Sequence, residues 1–145
     1  MKQDRIRNAH AVLLPAFDSL SLSDAVKGFL GKGGCSILLG ESRQEYVARE
    51  MGEERKAAET AEMFLSVAQE ASRLSGDLLV AVDQEIAGIR RLHDLTPLFP
   101  AKDELAKMDA DSFEETAYLV AAAARGLGVN MFLAPIICRC IPMII

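Results

Sequence analysis

The sequence predicts an α/β domain built on a parallel sheet, and two observations support that prediction. Helix-period segments separate four short apolar runs: Ala11–Phe17, Cys35–Leu39, Asp77–Val82 and Val129–Ile137. Apolar runs without polar alternation are typical of strands that are covered on both faces. Strands that are joined by crossover helices are parallel, so the predicted order is β-α-β-α-β-loop-α-β in one unit.

The helical segments have recognisable ends. Ser23 can cap a first helix that stops at Gly31. A second helix is predicted over Glu53–Leu74, where alanines and a phenylalanine recur at the 3.6-residue spacing. The sequence D-S-F-E at residues 111–114 has the form of a capping box, which predicts the start of a third helix that ends near Gly126.

Length and composition exclude several classes of protein. The 145 residues fit one domain, and an apolar content of 50% excludes a disordered or fibrous chain. A net charge of −5 gives no basic field, so no nucleic-acid partner is expected. Trp is absent and aromatic residues make up only 6%, which argues against a stacking platform for bases.

Signals for a membrane, a metal or a cofactor are weak. The most apolar stretch, Val129–Ile145, contains an arginine and two prolines and falls short of the roughly 20 apolar residues of a membrane helix. We therefore expect no membrane partner. Cys35, Cys138 and Cys140 lack the spacing of a zinc site, so no metal or cofactor is predicted. Reduced thiols favour a cytoplasmic location.

Two other motifs have ordinary structural interpretations. The glycine-rich Gly28–Gly34 departs from the phosphate-loop spacing and precedes a strand, so a helix end followed by a turn explains it. His93 stands beside Asp94 with no adjacent nucleophile, and we interpret it as a surface or loop-ordering histidine.

The D-Q-E sequence at residues 83–85 is the most informative stretch. It follows the apolar strand Leu78–Val82, so its side chains emerge at the carboxyl end of that strand. Ligands bind at this edge in parallel α/β folds, and the Asp83 carboxylate can accept hydrogen bonds from substrate hydroxyls there. The alternative interpretation is that Asp83 caps a helical turn over Gln84–Leu92.

Four segments together resemble family 3 glycoside hydrolases, and the bacterial β-N-acetylhexosaminidase branch more than the larger β-glucosidases. Leu79–Leu92 (LVAVDQEIAGIRRL) is similar to the family signature V-D-Q-E-G-G-R-V-x-R-L. Gly33–Gly40 (GGCSILLG) resembles the second strand of the family, and Phe99-Pro100 resembles the L-P before a later helix. Gly126–Ile136 (GLGVNMFLAPI) is similar to its L-G-I-N-x-x-x-A-P-V strand. The resemblance runs from about Val12 to Ile137.

The resemblance implies an activity as well as a fold. It implies a (β/α)₈ TIM barrel that hydrolyses terminal β-linked amino sugars or glucosides by a retaining mechanism. The family aspartate that holds sugar hydroxyls corresponds to Asp83. Arg91 matches the later arginine of the signature. We interpret Arg91 first as an ion-pair partner and only second as a substrate contact.

The chain also departs from the family pattern. Ile86 and Ala87 replace the two glycines of the signature, Gly88 replaces its first arginine, and Cys138 replaces an aspartate. Residues 138–145 match nothing, and their abrupt apolar ending suggests a truncation or a shifted reading frame. The segments that carry the family's nucleophile and acid/base group have no counterpart in the 145 residues.

A complete barrel takes about 250 residues. The expectation is therefore an incomplete barrel, residues 1–145 forming a single partial domain of about four parallel strands. We expect the isolated chain to be catalytically inactive and to self-associate through open strand edges. Two alternatives remain: a non-enzymatic small-ligand or interaction module, flavodoxin-like in outline, and a nonfunctional gene remnant.

Overall fold

The computed structural model describes residues 2–86 and 88–134. The helices, strands and one 3₁₀ turn follow along the chain in this order: α1 Lys2–Ala11, β1 Ala16–Phe17, α2 Asp24–Gly31, β2 Ser36–Leu39, α3 Arg43–Ala48, α4 Glu53–Ala58, α5 Ala61–Ser75, β3 Leu79–Val82, the 3₁₀ turn His93–Leu95, α6 Lys102–Leu105, α7 Ala110–Gly126 and β4 Met131–Phe132.

The four strands form one parallel sheet in the order β1-β2-β3-β4. Ala16 pairs with Leu38 in the first ladder and Ile37 with Val80 in the second. Val82 pairs with Phe132 in the third. The predicted α/β class with a parallel sheet and crossover helices is confirmed. Each strand lies beside its predecessor, so the sheet grows in one direction.

The core lies between the sheet and its crossover helices. Helix α5 buries one face made of residues spaced three and four apart, namely Phe64, Val67, Ala68 and Ala71. This face belongs to the same core cluster as the fully buried strand residues Leu39 and Val82. An apolar stripe at this spacing is what a core-facing helix requires.

The predicted single helix over Glu53–Leu74 is wrong, because two helices occupy that segment. Glu59 leaves the helical conformation, with φ −87° and ψ 131°, and Thr60 caps the next helix. At this break Glu59 turns its carboxylate toward Arg91 and forms an ion pair with it. The first predicted helix is confirmed, with Ser23 as its cap.

The start of the third helix also differs from the prediction. Asp109 caps α7, and its carboxylate accepts hydrogen bonds from the backbone N–H of Ser112 at 2.8 Å and from the Ser112 hydroxyl at 3.0 Å. The predicted capping box at residues 111–114 is therefore wrong, because these residues already belong to the first turn.

The ends of the chain depart most from the predicted pattern. Helix α1 was not predicted, and the apolar run Ala11–Phe17 contributes a strand only at Ala16–Phe17. Strand β4 covers Met131–Phe132 of the run Val129–Ile137. The end of that run lies outside the described residues, and so does the unmatched tail 138–145. No helix in the described ranges is long and apolar enough to cross a membrane.

Candidate functional site

Acidic residues follow three neighbouring strands where each strand ends. Asp18 comes directly after β1, Glu41 comes two residues after β2, and Asp83 comes directly after β3. The strands are parallel and adjacent, so these residues lie along the same edge of the sheet. That edge is where parallel α/β folds bind ligands.

Glu41 and Asp83 form a carboxyl pair at this edge, in which each group shifts the pKa of the other. Burial raises the pKa of Glu41 to about 7, with further contributions from the charge of Asp83 and from the hydrogen bond to it. Burial also raises the pKa of Asp83, and the nearby charge of Glu85 adds to the effect, while the hydrogen bond from Glu41 opposes it. Two close carboxyl groups cannot both ionise easily, so this pair retains a proton to higher pH than an isolated carboxyl group does.

The pair retains hydrogen-bonding capacity. The Oε2 atom of Glu41 is buried and has no hydrogen-bond partner among the described residues. Glu41 and Asp83 are both half-buried, so a ligand can still reach them. A buried oxygen without a partner costs free energy that a ligand hydroxyl at this position would recover.

The loop after β3 folds back on itself instead of forming a helix. The backbone N–H of Arg91 donates to the Asp83 carbonyl at 2.9 Å, and Gln84 and Arg90 form an antiparallel bridge. The N–H of Glu85 donates to the Ile89 carbonyl at 2.8 Å. The interpretation that Asp83 caps a helical turn over residues 84–92 is therefore wrong.

Gln84 fixes the two ends of this loop. Its side-chain Oε1 accepts a hydrogen bond from the Leu92 N–H at 3.1 Å, and its Nε2 contacts the Thr96 Oγ1 at 3.5 Å. Only 3% of Gln84 is exposed. Within the D-Q-E sequence, Gln84 thus stabilises the loop, while Asp83 faces the edge of the sheet together with Glu41.

Arg91 is fully buried in an ion pair with Glu59. Its two terminal nitrogens donate to the Glu59 carboxylate at 2.6 and 2.9 Å, and its guanidinium lies 4.8 Å from the centre of the Phe64 ring. Its Nε donates to the Gly40 carbonyl at 2.6 Å. Gly40 directly precedes Glu41, so Arg91 positions the end of β2. It has no exposed surface with which to contact a substrate.

Arg55 connects several of the segments that Arg91 also contacts. It forms ion pairs with Glu45 at 2.7 Å and Glu59 at 2.8 Å, and it donates to the backbone carbonyls of Asp18 and Gly40. Burial raises the pKa of Glu45, but hydrogen bonds from the Gly52 and Ser42 backbones, the Ser42 hydroxyl and Arg55 outweigh it and lower that pKa to about 2. Arg55 therefore ties together the ends of β1 and β2.

Sequence reasoning missed Glu41 and misplaced His93. Glu41 had a usable signal, because it follows the apolar run that Gly40 closes, just as Asp83 follows the next run. His93 is not a surface residue, since only 4% of it is exposed. Its burial had no signal in the sequence, because it depends on the fold of the loop after β3.

Comparison with known proteins adds no relative. No family model matches the chain, and no curated protein matches it.

Proposed function

We propose that this chain is the sugar-binding half of a β-glycosidase barrel of the family 3 type, in which Asp83 and Glu41 hold hydroxyl groups of a β-linked amino sugar or glucoside. The observation that carries the proposal is the position of Glu41 and Asp83, two coupled carboxyl groups that follow the ends of two neighbouring parallel strands. The resemblance of residues 79–92 to the family signature supports the same assignment of Asp83.

The strand order supports a barrel over a flavodoxin-like sheet. In doubly wound sheets the chain reverses direction, so that strands are added on both sides of the first one. Here every strand is added on the same side of its predecessor. Closed (β/α)₈ barrels are built by this sequential addition.

The chemistry of the pair suits a neutral, hydroxylated ligand. A protonated Glu41 can donate a hydrogen bond and an ionised Asp83 can accept several, so adjacent sugar hydroxyls can be bound as donors and acceptors. The negative charge at this edge disfavours anions. A carboxylate that accepts from a hydroxyl forms one of the stronger hydrogen bonds that proteins make.

The same geometry argues against cleavage by this pair alone. The nucleophile and the acid/base group of a retaining glycosidase stand about 5–5.5 Å apart. Glu41 and Asp83 instead perturb each other's pKa, so they titrate as one coupled pair and not as two separated groups with independent roles. We therefore assign the pair to substrate binding, and we expect the 145-residue chain to bind sugars without hydrolysing them.

The test combines binding with hydrolysis. Saturation-transfer NMR should detect N-acetylglucosamine on the wild-type chain and lose the signal in Asp83→Ala. Asp77→Ala, which changes an exposed aspartate before β3, should leave binding intact. Aryl β-N-acetylglucosaminide should not turn over. Equal binding by wild type and Asp83→Ala would refute the proposal, and Asp83-dependent turnover would refute the binding-only assignment.

The sheet also supports the proposed self-association. Among the described strands, β1 pairs only with β2, and β4 pairs only with β3. Unpaired strand edges recruit other chains. Sedimentation velocity should show concentration-dependent association, whereas a monomer across the whole concentration range would contradict it.

A further inference from the structure

A cavity lies between the loop after α3 and the loop after β3. Its volume is about 170 Å³. The side chains that matter to its chemistry come from separate segments of the chain: Arg49, Lys56, Arg90 and His93. Neither Glu41 nor Asp83 lines it, so it is distinct from the carboxyl pair.

His93 is the unusual member of this lining. Only 4% of it is exposed, and neither ring nitrogen has a hydrogen-bond partner in the described part of the chain. Its Nε2 stands 3.7 Å from the Glu59 Oε2, which is within ion-pair range but beyond the length of an ordinary hydrogen bond. Buried polar atoms without partners are rare in proteins and call for an explanation. A ligand that accepts a hydrogen bond from the imidazole would provide one.

The charged residues around His93 favour an anion. Arg49 and Arg90 form no ion pair with any described residue, while Lys56 pairs with Glu53 at 2.8 Å and with Glu50 at 3.8 Å. Glu50 and Asp94 also line the cavity, so its three cations outnumber its two carboxylates. Two guanidinium groups without carboxylate partners are suited to bidentate binding of a phosphate.

The cavity adjoins a larger cleft. Arg49, Gly88 and Arg90 line both spaces, and the second, of about 370 Å³, also contacts Phe99 and Pro100. An anionic group bound between the two arginines could therefore carry an organic substituent that reaches the Phe99 ring. An inorganic phosphate ion would not occupy the larger cleft beside Phe99.

We propose that Arg49, Arg90 and His93 form a binding site for a phosphomonoester. The phosphate group lies between the two guanidinium groups and accepts a hydrogen bond from the His93 ring. The organic part of the ligand lies in the cleft beside Phe99. The site does not rest on the sugar-binding proposal, since it shares no residue with the Glu41–Asp83 pair.

The two histidines of the chain allow a direct test by proton NMR. The Hε1 resonances of His93 and His10 are followed while phenyl phosphate, or inorganic phosphate, is added at constant ionic strength and pH. We expect His93 to shift in a saturable manner and His10, which lies on α1, to stay unchanged. We also expect phenyl phosphate to bind more tightly than inorganic phosphate.

Substitutions of single arginines test which residues bind the phosphate group. Arg90→Gln and Arg49→Gln should each weaken binding roughly tenfold or more, because each removes charged hydrogen bonds. Arg73→Gln, an exposed arginine on α5, is the matched control and should bind as the wild type does. Arg49 is itself exposed, so its substitution does not threaten folding.

Three results would overturn the proposal. The first is a His93 resonance that moves no more than that of His10. The second is equal weakening by Arg49→Gln and Arg73→Gln, which would indicate nonspecific attraction. The third is phenyl phosphate binding no more tightly than inorganic phosphate, which would exclude an ester as the ligand. Each readout is independent of sugar binding, so failure here leaves the Asp83 site untouched.

Discussion

Arg91 holds Glu59 in a buried two-point ion pair and at the same time holds the Gly40 carbonyl at the end of β2. This single side chain connects the loop after β3, the break between α4 and α5, and the residue that precedes Glu41. The carboxyl pair at the sheet edge therefore depends on a residue that cannot itself touch a ligand.

Removing one partner of this ion pair should destabilise the fold strongly. We expect Arg91→Met to lower the free energy of unfolding by about 3 kcal/mol or more, because it leaves the buried Glu59 carboxylate with fewer partners. Urea denaturation measures the change. Lys27→Met, which breaks an exposed ion pair with Glu70, is the control and should cost much less. Equal losses in the two variants would contradict a special role for Arg91.

Glu41 should make stability depend on pH between about 4.5 and 7. Its pKa is about 7 in the folded protein against an ordinary value of 4.5, so the folded state binds this proton more tightly than the unfolded state does. This contribution is fully present below the ordinary value and is lost as pH rises through 7.

Urea melts of wild type and Glu41→Gln at pH 5 and pH 8 isolate that contribution. Glu41→Gln cannot titrate, so we expect the wild type to lose stability relative to this variant at pH 8. The comparison cancels the opposite trend of His93, whose pKa burial lowers. The depressed pKa values of Glu45 and Glu59 act at lower pH and do not enter this window. The raised pKa of Asp83 is coupled to Glu41, so its change in the variant is part of the measured difference. A constant difference between the two proteins would contradict the raised pKa.

Asn130 should stabilise the sheet through its side chain. Its Oδ1 accepts from the Val80 N–H at 2.8 Å, and its Nδ2 donates to the Leu78 carbonyl at 2.8 Å. Asn130→Ala removes both bonds and should cost about 2 kcal/mol. Hydrogen exchange at the Val80 amide should accelerate accordingly. Asn8→Ala, at an exposed site on α1, is the control, and unchanged Val80 protection in Asn130→Ala would refute the role.

Two glycines should respond in opposite ways to substitution by alanine. Gly128 has φ +84°, and a Cβ there would stand 2.5 Å from the Ala68 Cβ, so Gly128→Ala should destabilise the protein by more than about 1 kcal/mol. Gly28 lies inside α2 with open space around it, so Gly28→Ala should stabilise the protein by up to about 1 kcal/mol. Thermal melts compare the two variants. A change of stability in the same direction in both would contradict this assignment.

The sheet was predictable from the sequence because buried parallel strands are continuous apolar runs. Cys35–Leu39 and Asp77–Val82 each contain a strand, and Asp83 lies at the predicted edge. The break at Glu59 was not predictable, because the helical period continues through it and the buried ion pair that accompanies the break joins Glu59 to the distant Arg91. Local periodicity carries no information about such long-range ion pairs.

Part of the candidate site was predictable from the sequence for the same reason. Asp83 could be identified from its position after an apolar run, and the identical rule applies to Glu41. What the sequence could not provide is their proximity, since the two lie 42 positions apart and meet only because β2 and β3 are neighbours. The partnerless ring of His93 likewise follows from the folded-back loop after β3.

The central claim is that Glu41 and Asp83 share a proton and bind a sugar with the shared pair. Carbon NMR of the Glu41 carboxyl group, titrated with and without N-acetylglucosamine, tests both parts at once. We expect a midpoint of about 7, a lower midpoint in Asp83→Asn, and a further shift when the sugar is added. A midpoint near the ordinary glutamate value, unaffected by Asp83→Asn or by the sugar, would contradict the claim.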